Sequence, residues 1–151
     1  MTVHHVLVPM DFSPYAEHAL DYAIALAQKL QARVTLLHVI QPPLIAGADM
    51  GVWPSPTFVV ELEAAITSDM EGYLARVTDA GLTGEIVVIH GNPSQEILDT
   101  ARQRQVDLIV MGTHGRTGLP HALLGSVAER VVRSAPCPVL VTRHPAPAAA
   151  A

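Results

Sequence analysis

One pattern constrains this chain more than any other. Short, nearly continuous apolar runs alternate with segments whose apolar residues recur every three or four positions. Runs of the first kind suit strands buried on both faces, and stripes of the second kind suit helices covering a sheet. Val6-Leu7-Val8, residues 33–39 (RVTLLHV), 85–89 (EIVVI), 107–111 (DLIVM) and 139–141 read as five strands. Ser13-Pro14 offers a helix cap with proline at the first helical position, and Ala16, Ala19, Leu20, Ala23, Ala27 and Leu30 follow as one stripe ending near Gln31. From Val59, the positions Leu62, Ile66, Met70, Tyr73, Leu74 and Val77 predict a second helix, with Gly81 placed to end it. Asn92-Pro93 opens a third, with Gln95 expected to return the cap, and residues 126–134 have the spacing of a fourth.

The order βαβαβαβαβ implies a parallel sheet with helices on both faces, because parallel neighbours need crossover connections. The expected fold class is α/β, a single doubly wound domain whose five strands run 3-2-1-4-5. That order reverses once, so right-handed crossovers can reach both faces. Half of the 151 residues are hydrophobic, enough for one core without metals or disulfides. We expect residues 1–143 to form the domain and residues 144–151 (HPAPAAAA) a frayed tail. Residues 41–56 hold four prolines and two glycines without a period, and read as a long loop covering a site or disordered; Trp53 within it is an anchor or a cover.

Charge and composition remove several functions. A net charge of −5 lacks the basic footprint of a nucleic-acid binder, and no apolar run is long enough to span a membrane. The single cysteine, Cys137, excludes an internal disulfide and fits a reducing compartment; with no leader pattern at the start, a cytoplasmic protein is expected.

In a doubly wound sheet, ligands bind where the strand order reverses, here between the loops leaving strands one and four. The loop after strand four carries Gly112, Gly115, Gly118 and Gly125 together with Arg116. Glycines let consecutive N–H groups turn inward around an anion, and Gly125-Ser126 opens a helix whose amino end favours phosphate. Ser126 is placed to act as cap and phosphate donor together. No Gly-Lys-[Ser/Thr] occurs there, which disfavours a P-loop enzyme. Asp11, in the loop after strand one, reads equally as a turn residue before Ser13 and as a ligand contact. His38, His90 and His114 fall at carboxyl ends of strands, yet no pair has the helical spacing of metal ligands, so ordinary hydrogen bonding is expected.

Gly112, two residues, Gly115, nine residues and Gly125-Ser126 resemble the G-x2-G-x9-G-[S/T] motif of the ATP-binding branch of the universal stress protein family. Val8-Pro9-Met10-Asp11-Phe12-Ser13, Leu37-His38-Val39 and Cys137-Pro138-Val139-Leu140-Val141 are similar to further segments of that family. The resemblance implies a Rossmann-like, adenine-nucleotide-hydrolase-like domain. It also implies that Pro9, Met10 and Asp11 lie beside adenosine, Val39 against adenine, and Met111, Gly112 and Gly115 on the ribose and phosphate side. Gly125, Ser126 and Val127 would then hold the phosphates, Mg²⁺ or Mn²⁺ would bind through those phosphates, and Arg116 is a further candidate. A homodimer pairing Val139, Leu140 and Val141 across a two-fold axis is implied as well, with a nucleotide-dependent switch acting on an unidentified partner. An ATP-hydrolysing or phosphoryl- or adenylyl-transferring enzyme is the rival reading. No catalytic base is evident, so turnover is expected to be slow or absent. A phosphoacceptor receiver would need an aspartate where His90-Gly91 stands.

Overall fold

The computed structural model describes residues 2–41, 55–114 and 124–143. Nine elements alternate through them: β1 (His5–Pro9), α1 (Pro14–Leu30), β2 (Arg33–Ile40), α2 (Pro56–Asp79), β3 (Gly84–His90), α3 (Pro93–Gln103), β4 (Leu108–Gly112), α4 (Ser126–Ser134) and β5 (Val139–Thr142). The sheet order is β3-β2-β1-β4-β5, and every pairing is parallel. Fold class and strand order are those expected from the alternation.

The two-residue period of the strands divides the core into two layers. Val6, Val8, Val34, Leu36, Leu108 and Val110 pack with the buried alanines of α1 and with Met70 and Val77 of α2. Leu7, Leu37, Ile109 and Met111 point the other way, onto Ile97, Leu98 and Ala101 of α3 and Ala128 and Val131 of α4. Ala16, Ala19, Ala23 and Ala27 let α1 lie close against the sheet. Leu7 is fully buried, and truncating such a leucine to alanine costs about 2–5 kcal/mol.

Capping sets the helix boundaries. The Ser13 hydroxyl accepts the Ala16 N–H at 3.2 Å, and the Asn92 side chain accepts the Gln95 N–H at 3.3 Å. The reciprocal bond expected from Gln95 is absent, because its amide donates forward to Asp99 instead. Gly81, at φ +79°, closes α2 as the spacing indicated, with Leu82 N–H on Val77 O and Gly81 N–H on Thr78 O. The start of α2 lies outside the expected boundary. Ser55 caps the helix by accepting the Phe58 N–H at 3.2 Å and Pro56 is its first residue, so the loop expected over residues 41–56 ends before Ser55. Residues 42–54, Trp53 among them, and the expected tail at 144–151 lie outside the described residues. No described helix is long and apolar enough to cross a membrane.

Candidate functional site

The strand order brings the two candidate loops together. β1 and β4 are neighbours, so the segment after Pro9 and the segment after Gly112 leave the same edge of the sheet at the point where its order reverses. Tyr15, in the first turn of α1, ties them. A Cβ built on Gly112 would lie 2.8 Å from both the Cβ and the carbonyl oxygen of Tyr15, and the Tyr15 ring stands 5.4 Å from the ring of His114. Gly112 is therefore required first by the approach of α1 to β4, a reason the loop's glycine content did not reveal.

Each candidate residue among those described has a definite place. Pro9 ends β1, and Met10 is buried with its N–H on Leu37 O at 2.8 Å. Asp11 Oδ1 accepts the Ser13 N–H at 3.0 Å, so the turn role is realised. Phe12 follows at φ +64°, in the left-handed region. Val39 lies in β2, paired with Ile89 of β3, and Met111 is buried in β4 opposite Val141 of β5. Gly115 and Arg116 lie outside the described residues.

At the start of α4 the expectation for Ser126 is corrected. Gly125 is the N-cap, with its carbonyl accepting the Glu129 N–H at 2.9 Å, and Ser126 is the first helical residue, exposed and not capping. Gly125 has no side chain, so the cap residue itself supplies no oxygen to the first-turn N–H groups, and the positive end of the helix dipole there has the sign that favours an anion. Gly125 N–H donates to Thr113 O at 2.7 Å, and Thr113 N–H donates to Thr142 O at 3.0 Å. The amino end of α4 is thus fastened beside the end of β4, while Val127 packs its side chain into the core.

The strand-end histidines make the ordinary bonds expected of them. His38 Nδ1–H donates to Met10 O at 2.8 Å, His90 Nε2 lies 2.5 Å from Glu63 Oε1, and His114 Nδ1 lies 3.1 Å from Thr113 Oγ1. Among the described residues no cluster of three His, Cys, Asp or Glu could hold a metal ion. Burial pushes the thiol of Cys137 up, which suits a packing residue rather than a nucleophile.

A cavity of about 730 Å³ lies at the other end of the sheet, lined by His4, His5, Arg33, Leu82, Arg104 and Asp107 among others. Its charged groups are engaged within the protein. Asp107 Oδ2 accepts the N–H groups of His4 and His5, and Arg104 pairs with Glu85 at 2.7 Å. Gln31, Ala80 and Arg104, the C-caps of α1, α2 and α3, abut or line it, so three helix carboxyl ends oppose a phosphate there. The crevice between β1 and β4 instead adjoins a helix amino end, that of α4, whose dipole has the sign that favours an anion.

Tyr15, His38 and Phe12 organise this crevice, and loop composition did not single them out. His38 carried the one available signal: it shares the two-residue phase of Val34 and Leu36, which marks it as a polar side chain on a core face.

Comparison with known proteins places these features in a family. The model of the universal stress protein family matches residues 2–143. The universal stress protein MJ0531 of Methanocaldococcus jannaschii is 34% identical over 141 residues, covering 93% of this chain and 82% of that protein. MJ0577, from the same organism, is 35% identical, with 92% and 94% covered. The solved structure of MJ0577, described as a hypothetical protein, superposes with a TM-score of 0.85 over 97% of this chain and 100% of that one, at 32% identity. UspA of Lactobacillus plantarum superposes at 0.78, with 29% identity and 95% and 99% covered. Two further structures share the fold at lower identity, a universal stress protein in complex with cAMP (TM-score 0.72, 23%) and one from Archaeoglobus fulgidus in complex with dAMP (0.64, 22%). The match over nearly the whole described chain, together with relatives above 30% identity, shows that this chain belongs to the universal stress protein family.

Proposed function

We propose that this protein binds ATP in the crevice between β1 and β4 and acts as a nucleotide-dependent switch in a stress response. The observation that carries the reading is the glycine-capped amino end of α4, fastened through Thr113 to the end of β4 at the point where the strand order reverses. There the first-turn N–H groups and the helix dipole suit a phosphate chain. Gly112, Gly115 and Gly125-Ser126 keep the full motif spacing, with Arg116 as a further cation for the phosphates.

In this arrangement Asp11 and its neighbours Pro9 and Met10 face adenosine, Val39 faces adenine, Met111 and Gly112 adjoin the ribose, and Gly125, Ser126 and Val127 take the phosphates. Mg²⁺ or Mn²⁺ fits as a phosphate-held ion, because Asp11 is the only carboxylate in the two loops and no cluster among the described residues competes for it. Its chemistry when bound is to neutralise and order the phosphates. The complexes of two fold-mates with cAMP and dAMP agree with an adenine nucleotide in this type of sheet.

The same residues favour a switch over the rival enzyme, since among the described residues the Asp11 carboxylate is turned onto Ser13 N–H while the His38 and His114 rings lie against Met10 O and Thr113 Oγ1. Slow or absent hydrolysis follows. Switching requires ATP to bind one conformation better than another, and a glycine-rich loop ordered by a γ-phosphate meets that condition. We further propose a cytoplasmic homodimer formed through β5, with a downstream protein partner reading the bound state.

Calorimetric titration of nucleotide-stripped protein with ATP and Mg²⁺ tests the reading. Saturable binding to the parent, lost in a folded Gly115→Val/Gly125→Val variant, is the expected result. A folded parent that takes up no ATP would refute it.

A further inference from the structure

We propose that His38 is the positioning residue of the candidate site, holding the turn that carries Asp11 in its ligand-facing geometry. This role rests on the reading of Asp11 as an adenosine contact.

Met10, immediately before Asp11, is fastened to β2 through both its backbone N–H and its carbonyl. Its N–H donates to Leu37 O at 2.8 Å, and its carbonyl accepts His38 Nδ1–H at 2.8 Å. Backbone pairing supplies the first of these bonds for any residue at position 37, whereas the second depends on the imidazole. Phe12, immediately after Asp11, adopts φ +64°, a conformation disfavoured for a side chain of this size, and its ring lies 4.7 Å from the His38 ring and 6.0 Å from that of Tyr73. A single buried side chain, 6% exposed, therefore contacts the residues on both sides of Asp11. Between them the Asp11 carboxylate is turned back onto Ser13 N–H at 3.0 Å, which fixes one oxygen. With a hydrophobe at position 38, the Met10 carbonyl loses its donor and Phe12 loses one of its ring contacts. The turn is then free to relax toward ordinary backbone angles, carrying Asp11 out of register with the crevice.

The residue acts through Asp11 and touches no ligand in this account, so its test is coupling rather than loss alone. Adenosine, AMP and ATP are titrated into the parent, His38→Leu, His38→Asn, Asp11→Ala and the Asp11→Ala/His38→Leu pair. His38→Leu should weaken all three ligands alike by about tenfold, the scale of one well-formed hydrogen bond lost from a positioned group. His38→Asn, whose amide nitrogen sits where Nδ1 was, should recover most of that loss. In the Asp11→Ala background the further change at position 38 should cost less than about twofold, because coupled residues are not additive. If His38→Leu does not fold, His38→Gln replaces it, keeping bulk and polarity while moving the donor away from Met10 O.

A second readout needs no nucleotide. Amide hydrogen exchange at Ser13, whose N–H meets Asp11, should quicken by about tenfold or more in His38→Leu while core amides of β2 hold their rates. Undiminished binding by His38→Leu, a full loss that persists without Asp11, or an unchanged Ser13 exchange rate would each overturn the proposal. Failure of the parent to bind any of the ligands would defeat the nucleotide reading itself, leaving the exchange comparison to decide the role of His38.

Discussion

Gly112 lies so close beneath Tyr15 that a Cβ added to it would stand 2.8 Å from the tyrosine's Cβ and carbonyl oxygen. This contact sets the distance between α1 and the end of β4, and so the width of the crevice between the two candidate loops. Gly112→Ala should therefore force the backbone of α1 away, costing about 1–3 kcal/mol, typical of overpacking. Thermal unfolding should show a midpoint lower by about 2–12 °C, taking about 2–4 °C per kcal/mol for a domain of this size. An unchanged midpoint would mean that the contact is not close in solution.

The neutral imidazole of His5 predicts an acid-side loss of stability. Thr35 donates its hydroxyl to Glu85, so it accepts from His5 Nε2–H at 2.7 Å, which leaves Nδ1 to accept from Arg33 at 3.1 Å; the Arg104 carbonyl, 3.2 Å from Nδ1, can accept only from the protonated ring. Burial, and then the positive charge of Arg33, hold the His5 pKa below its ordinary 6.5 despite Glu85 and Asp107 nearby. The unfolded chain takes the proton more readily than the folded one. Stability is therefore full above pH 6.5 and declines as the pH falls from there through the lower folded value. Unfolding by denaturant from pH 8 downward should show this decline in the parent and a smaller one in His5→Gln, whose amide can still donate to Thr35. Equal slopes would contradict the assignment.

Two helices end on a left-handed glutamine. Gln31 at φ +54° closes α1 and Gln105 at φ +52° follows α3, each in the position where a helix terminus favours glycine. Replacing either by glycine should raise stability by about 0.5–1 kcal/mol, since a side chain in this region costs about 1–2 kcal/mol and glycine returns part of that as chain entropy. Calorimetric melting of Gln31→Gly and Gln105→Gly measures it; a lower midpoint in both would count against the geometry.

β5 is an edge strand carrying a partly exposed leucine, Leu140, at 38% exposure. A strand of Val139, Leu140 and Val141 left at an edge favours pairing with another chain. The proposed dimer should sediment as such at micromolar concentration, and Leu140→Asp should shift it to monomer without loss of fold. A parent that sediments as a monomer would remove this part of the account.

Much of the fold was legible because its strands are buried on both faces and its helices carry plain caps. Ser13-Pro14, Asn92-Pro93 and Gly81 marked boundaries that the structure keeps. Ser55-Pro56 is the same signal as Ser13-Pro14, yet it stands among prolines that read as loop, and the residues from Ser55 to Phe58 are all exposed, with no buried apolar position to reveal the first turn of α2. Ser126 misled for a related reason. A serine beside a glycine is the better capping side chain, but the helix begins where Gly125 can take extended angles, with its N–H on Thr113 O. Strand phase marks His38 as a polar side chain on a core face, but its partner is not legible, because the carbonyl of Met10 stands 28 residues away in sequence and only the β1–β2 pairing brings it within reach.

In the proposed function, nucleotide binds at the carboxyl end of the sheet, between β1 and β4. Titrating isotope-labelled protein with a non-hydrolysable ATP analogue and Mg²⁺, while following the backbone amides by NMR, tests it most directly. The account predicts saturable shifts centred on Met10, Asp11, Val39, Gly112, Gly125, Ser126 and Val127, with little change at Ala32, Leu82 and Gln105 around the opposite cavity. Shifts centred on that cavity, or none at millimolar nucleotide, would contradict it.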